Sequence, residues 1–322
     1  MISLLLNSVL FSLVALLMVW VVSHRGGEWP TGLLRLALAL LLLFPALAWL
    51  PKWQVLPSGE AVVMAEPTHS AWAGWAFVWL TGAVVQAVRL GMAMLRLRDW
   101  QQTAIPLVDE ASRALAQNCA AAMGLRRPVH LLVCPSLRGA AACGVWQPVV
   151  LLPSAWHRWS DETRRVALLH ELGHHTSRDP LWRLLALSAG ALYWFNPLVW
   201  WLAARLQSQA EFTCDARVVG SGIRADRYAH ILCDLAGTAP SPAIGMATPC
   251  SLEKRVRMLH SARGAVAPLV LAAAIVGLII GALGLTVVRS RQPVAPAATA
   301  PDYSPQEIAT RLNADPFPAD AP

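Results

Sequence analysis

Charged side chains are scarce in this chain: Asp, Glu, Lys and Arg make up 14% of 322 residues, against 56% hydrophobic. With a mean hydropathy of +0.47, that balance excludes an ordinary soluble domain and points to a membrane protein. The first apolar run, residues 2–22, has no basic stretch before it and no small-residue cleavage site, which excludes a secretory signal peptide and leaves a span. The six cysteines, from Cys119 to Cys250, include no CxxC pair; in a cytoplasmic region they are reduced thiols rather than a disulfide framework. No internal repeat is present. No nucleic-acid-binding motif accompanies the net charge of +7, so direct nucleic-acid binding is not expected.

Long apolar runs are what the chain has in quantity. Residues 2–22, about 31–50, about 71–95 and about 266–288 each approach the roughly twenty residues needed to cross a bilayer. Arg25 and Arg35 bracket the first loop, Arg96 and Arg98 follow the third run, and Lys254, Arg255, Arg257 and Arg263 precede the fourth. Those sides are expected to be cytoplasmic. The N-terminus, the 51–70 loop and the tail are then external. The expected fold is a four-span α-helical membrane protein with an α+β cytoplasmic domain. Its parts are three spans in 1–95, the domain in 96–264, a fourth span in 265–288 and a short external Pro/Ala-rich tail in 289–322, all in a bacterial-type inner membrane. Trp72, Trp75 and Trp79 suit either the outer interface of the third span or packing between spans, and Ser304 and Pro305 can cap a short helix in the tail.

The chemistry is carried by His170-Glu171-Leu172-Gly173-His174, an HExxH sequence. Ser160 can cap a helix whose first turn holds Asp161 and Glu162, with Val166, Leu169, Leu172 and Gly173 as its apolar face. Histidines four apart project from the other side, close enough to bind one metal ion, and Glu171 can reach a water there as base without being a ligand. A pair of solvated or core histidines is the plainer alternative. A catalytic zinc takes three protein ligands and leaves one position open. The metzincin pattern would need glycine at 177 and histidine at 180, where this chain has Ser177 and Pro180. Glu211, in Glu211-Phe212-Thr213-Cys214-Asp215, opens a helix-like run and is read as the third ligand of one zinc ion per chain. Asp215, one turn on, is read as the carboxylate that fixes a histidine tautomer. Asp179 competes for either role, and a solvated acidic turn is the alternative to both. His175, Arg178 and Tyr228 are candidates for stabilising an oxyanion, each otherwise a surface or packing residue.

Residues 181–206 are apolar enough for a fifth span, but His174 and Glu211 flank them and must meet on one side. Asn196-Pro197 breaks the segment, so a helical hairpin is expected, dipping into the inner membrane face or buried in the soluble core. Upstream, 108–123 reads as an amphipathic helix, and 128–133 and 149–152 as strands joined by 139–148. Strands beside an HExxH helix can bond a peptide substrate through the backbone. Downstream, 224–235 continues as helix, and 237–249 is a Gly/Pro-rich loop before a basic helix.

Three spans before the HExxH domain, the sequence Trp194-Phe195-Asn196-Pro197-Leu198-Val199-Trp200, the Glu211 to Asp215 run, and Leu252-Glu253-Lys254-Arg255-Val256 before a fourth span resemble one family. It is the BlaR/MecR family of membrane zinc metallopeptidases, antirepressors of beta-lactam resistance systems. The resemblance covers roughly residues 1–290 and implies a gluzincin-type site, with zinc on His170, His174 and Glu211 and Glu171 as catalytic base. It further implies signal-dependent cleavage of the chain itself and of a cytoplasmic repressor. The roughly thirty residues after Arg291 are too few to fold as a penicillin-binding sensor. An external sensor partner or a different signal is therefore expected, and a homodimer is compatible with the sequence. The alternatives are a housekeeping protease resembling the HtpX or CAAX-processing group, whose spans are placed differently, and a scaffold with structural zinc, which would have no use for Glu171. A site-two-type intramembrane protease is disfavoured by the charges in 153–169.

Overall fold

The computed structural model describes residues 2–26, 31–47, 53–56, 69–237, 252–259 and 268–290. Two units divide the chain. The smaller, Lys52–Glu66 with Val288–Pro322, contains a parallel pair of strands, β1 (Trp53–Leu56) and β6 (Val288–Ser290). The short tail helix at Ser304 and most of the 237–249 loop lie outside the described residues.

The larger unit is mostly helical with a small sheet. Its first core is a helix bundle of α1 (Ile2–Gly26), α2 (Thr31–Leu47), α6 (Asp179–Leu192), α7 (Pro197–Gly220) and α10 (Pro268–Val287). Phe11, Leu34, Leu38, Tyr193, Leu202 and Leu278 are among its buried side chains. Helix α3 (His69–Thr103) is different: Phe77, Leu80, Val84, Val88 and Leu95 are all exposed along it. Its stretch Ala76–Thr103 is, among the described residues, the one helix long and apolar enough to cross a bilayer. The apolar stretches Asn7–Met18, Thr31–Ala46 and Val270–Ala282 are shorter.

The hairpin expected over 181–206 is formed by α6 and α7, and it packs into the helix bundle rather than into the second core. Asn196 caps α7 by accepting from the Leu198 N–H at 3.1 Å, and Pro197 takes the first helical position, where no donor is lost. The polar groups of the turn find partners on three neighbouring helices. Tyr193 Oη donates to Leu41 O at 2.8 Å, Asn196 Nδ2 to Ser12 Oγ at 3.2 Å, and Trp79 Nε1 to Leu192 O at 3.2 Å. Such satisfaction is what an apolar surrounding demands of a non-helical turn. Trp79 thus serves helix packing, and a Cβ at Gly82 would run into the Trp194 ring.

The second core joins a four-stranded sheet, ordered β2-β3-β5-β4, to helices. The strands are β2 (Ile105–Pro106), β3 (His130–Val133), β4 (Ala141–Cys143) and β5 (Val149–Leu152). The two expected strands, β3 and β5, lie side by side and parallel. The stretch 139–148, read from sequence as a plain connection, contains the edge strand β4, antiparallel to β5. A three-residue strand of Ala-Ala-Cys carries too little alternation to be seen in sequence. Helices α4 (Glu110–Ala122), α5 (Asp161–Thr176) and α8 (Ala225–Gly237) share this core with the sheet, and α9 (Leu252–Leu259) follows. The helix expected over 224–235 is α8, separated from α7 by a turn at Ser221 and Gly222, the glycine at φ 96°. Helix α7 belongs to both cores: Val199, Leu202 and Leu206 to the first, Val218 to the second.

Candidate metal centre

Helix α5 forms as its sequence suggests. Ser160 accepts from the Thr163 N–H at 3.1 Å, Asp161 and Glu162 sit in the first turn, and Val166, Leu168, Leu169 and Leu172 are buried. His170 and His174, one turn apart, have ring centroids separated by 4.9 Å. Glu211 does not open a helix; it lies deep within α7, carried there by the hairpin. Its Oε2 is 3.4 Å from His170 Nε2 and its Oε1 3.7 Å from His174 Nε2. One donor atom from each of the three residues lies within 4.8 Å of the others, a cluster able to hold a metal ion. The chemistry of the donors suits zinc: two imidazole nitrogens and one carboxylate, with each histidine tied at its other nitrogen.

Those ties differ. His170 Nδ1 lies 3.2 Å from Asp215 Oδ1 and 3.1 Å from Tyr228 Oη, and Tyr228 donates to the same carboxylate at 2.7 Å. Asp215 therefore lies beside His170. His174 Nδ1 is 2.9 Å from Asp179 Oδ2, so Asp179, weighed as a competitor, has a place of its own. Arg178 makes that geometry. Its left-handed backbone, φ 55° and ψ 34°, reverses the chain between α5 and α6 and brings Asp179 back to a histidine five residues earlier.

Two candidates for the oxyanion role are engaged elsewhere. Tyr228 donates to Asp215, and buried His175 bonds Val149 O at 3.1 Å, with burial lowering its pKa. Arg178 makes the reversal just described. A residue missed by sequence reasoning as part of the site is Arg255, from the basic helix α9. Its Nε and Nη2 donate to the two oxygens of Asp215 at 2.8 and 2.6 Å, and its Nη1 lies 3.3 Å from Glu211 Oε2. Glu171, next to His170 on α5, accepts from the Ala142 N–H of β4 at 2.6 Å.

The close packing of α5 on α7 depends on Gly173. A Cβ there would stand 3.2 Å from Cys214 Sγ, which is itself buried and 3.3 Å from His174 Nδ1. Alanine gains about 1 kcal/mol of helix propensity, but overpacking a site that cannot yield costs about 1–3 kcal/mol. Gly173→Ala is expected to lower the unfolding temperature in the wild-type chain and to raise it in a Cys214→Ala background; thermal melts of the four proteins measure this.

Electrostatics around His170 are those of a site built for a cation. Burial opposes a charge on His170, but the Asp215 and Glu211 carboxylates outweigh it and push its pKa up to about 10. Burial likewise opposes a charge on Glu211, yet the His170 hydrogen bond, the two imidazoles and Arg255 hold it at about 2. The metal-free fold therefore gains stability from protonated His170 that is full below its ordinary 6.5 and lost as pH rises through about 10. From Glu211 it gains stability present above 4.5 and lost as pH falls through about 2. A metal must displace the His170 proton. Metal affinity should thus rise about tenfold per pH unit between pH 7 and 9, one proton being released per ion bound. Chelator competition at several pH values measures the slope, and a pH-independent affinity would contradict it.

Residues 42–259, more than half of the chain, match the family model described as BlaR1 peptidase M56. Over 142 residues the chain is 26% identical to the regulatory protein BlaR1 of Bacillus licheniformis, covering 44% of this chain and 24% of that protein's length. The match spans about a quarter of that relative.

Proposed function

The chain belongs to the BlaR1 peptidase M56 family, of BlaR/MecR type, and from that premise we propose that it is a membrane-embedded zinc metalloendopeptidase acting in signal-dependent gene regulation. The observation that carries the reading is the convergence of His170, His174 and Glu211 from two helices, with Glu171 beside them on α5.

One zinc ion held by those three residues would supply a Lewis acid for a water and for a peptide carbonyl. The chain's own groups do the rest. Glu171 takes the proton of the attacking water and returns it to the departing amide nitrogen. Asp215 and Asp179 keep the two Nδ1 atoms occupied, so that both Nε2 atoms face the centre. Arg255 balances the charge of Glu211 and Asp215.

Four spans cross a bacterial-type inner membrane in this reading, with the peptidase domain cytoplasmic and the tail external. Its support is the apolar surface of α3, the packing of α1, α2 and α10 in one bundle, and the pairing of β1 with β6. That parallel pair joins the segment after α2 to the segment after α10, which requires both on one side. The substrates in this reading are the chain itself or a cytoplasmic repressor. Cataloguing new N-termini in cells expressing the wild-type chain or Glu171→Gln tests this. Fragments of the chain or of a repressor found in wild type alone are expected; identical catalogues would favour a non-catalytic scaffold.

A further inference from the structure

Helix α2 has one charged residue in its 17, Arg35. Its neighbours Leu33, Leu34, Ala37 and Leu38 are fully buried. From sequence alone Arg35 reads as a loop-flanking topology signal, a charge that could reach water at the membrane edge. The structure turns it the other way. Its Nη2 donates to Asp179 Oδ1 at 2.8 Å, across 144 residues of sequence, and its guanidinium lies 5.3 Å from the centre of the Trp182 ring. Arg35 Nε is buried with no partner. An arginine placed in an apolar helix with a donor left unpaired costs free energy, and such residues in membrane helices mark functional pairs. The pair here is Asp179, whose second oxygen is the one bonded to His174 Nδ1.

We propose that Arg35 is a positioning residue of the metal centre: by fixing the rotamer of Asp179, which holds His174, it makes the geometry of the metal site depend on the packing of α2 in the membrane bundle. This rests on the metallopeptidase reading above. Asp179 sits in the first turn of α6, where the helix dipole favours its charge. What Arg35 adds is direction. With Oδ1 held by α2, Oδ2 is left for the imidazole, and His174 keeps its proton on Nδ1 and turns Nε2 to the cluster. A shift of α2 against α6 loosens that hold without touching a ligand. Cys214 Sγ, 3.3 Å from the same Nδ1, is the competing neighbour His174 would meet if Asp179 swung away.

The experiment uses the full chain in nanodiscs, loaded with zinc for affinity by chelator competition and with cobalt for its visible ligand-field spectrum. Arg35→Gln is expected to weaken zinc binding by about 10- to 100-fold, the range for removing a partner of a metal-binding histidine, and to change the cobalt spectrum. Asp179→Asn should do the same, and the double variant should bind no more weakly than Asp179→Asn alone, because both act through one hydrogen bond. Arg35→Lys keeps the charge that sets topology, so it inserts normally. It should show a smaller loss of affinity and an altered cobalt spectrum. A wild type that loads with one metal beside an Arg35→Gln chain of equal affinity and identical spectrum overturns the proposal alone. If Arg35→Gln does not fold, an Arg35→Lys chain matching wild type in both readouts does so. A wild type that takes up no metal overturns the metallopeptidase reading, and this proposal with it.

Discussion

Glu171→Gln will sharply reduce peptide-bond cleavage while the chain still binds one metal ion. The two properties separate because they live on different residues. The donor cluster consists of His170, His174 and Glu211, and none of their contacts passes through the Glu171 carboxylate. Glutamine keeps the shape and can still accept from the Ala142 N–H, so α5 remains against the sheet edge. It cannot take a proton. Positioned acid–base groups contribute on the order of 10²- to 10⁴-fold to rate, and a loss in that range is expected. Metal analysis of the purified variant together with its cleavage of itself and of an unfolded protein substrate measures both halves. A Glu171→Gln chain that stays active, or one that has lost its metal, would be incompatible with Glu171 as the base.

The second large effect concerns the third ligand. Glu211→Gln removes a negative charge that lies against His170, His174 and Arg255. Its loss should reduce metal affinity beyond the roughly 10- to 100-fold typical of outer partners. Cleavage should fall with it and recover in part at high zinc concentration. Asp215→Asn provides the contrast, because Asp215 is not one of the three clustered donors and reaches them through His170 Nδ1 and through Arg255. Its loss of affinity should stay within about 10- to 100-fold. Equal effects of the two substitutions would mean that Glu211 is not a ligand.

Sequence reasoning reaches the parts of this site that are local. The HExxH spacing, the Ser160 cap and the break at Asn196-Pro197 each depend on residues within a few positions of one another, and each is present in the structure. Glu211 and Asp215 are legible because the need for a third ligand directs attention to an acidic pair one turn apart. What stays hidden depends on distant pairs. Arg255 meets Asp215 across 40 residues, and Arg35 meets Asp179 across 144. An arginine in an apolar run signals topology as readily as an ion pair, so only the fold distinguishes them. The position of Glu211 deep in α7 is hidden for a related reason. The apolar first half of that helix reads as part of the hairpin and the polar second half as a new element, yet both are one rod that passes from the bundle to the peptidase core.

Among the described residues, two clusters of donors share His174. One is His170, His174 and Glu211; the other is His174, Asp179 and Cys214. Burial pushes the Cys214 thiol well above its ordinary range, with the Asp179 and Glu211 carboxylates adding to the effect, which disfavours the thiolate a metal would need. Zinc K-edge X-ray absorption on the purified chain decides between them. The first cluster predicts only nitrogen and oxygen neighbours, at about 2.0–2.2 Å. A sulfur neighbour at about 2.3 Å would place the ion on Cys214 and contradict the account.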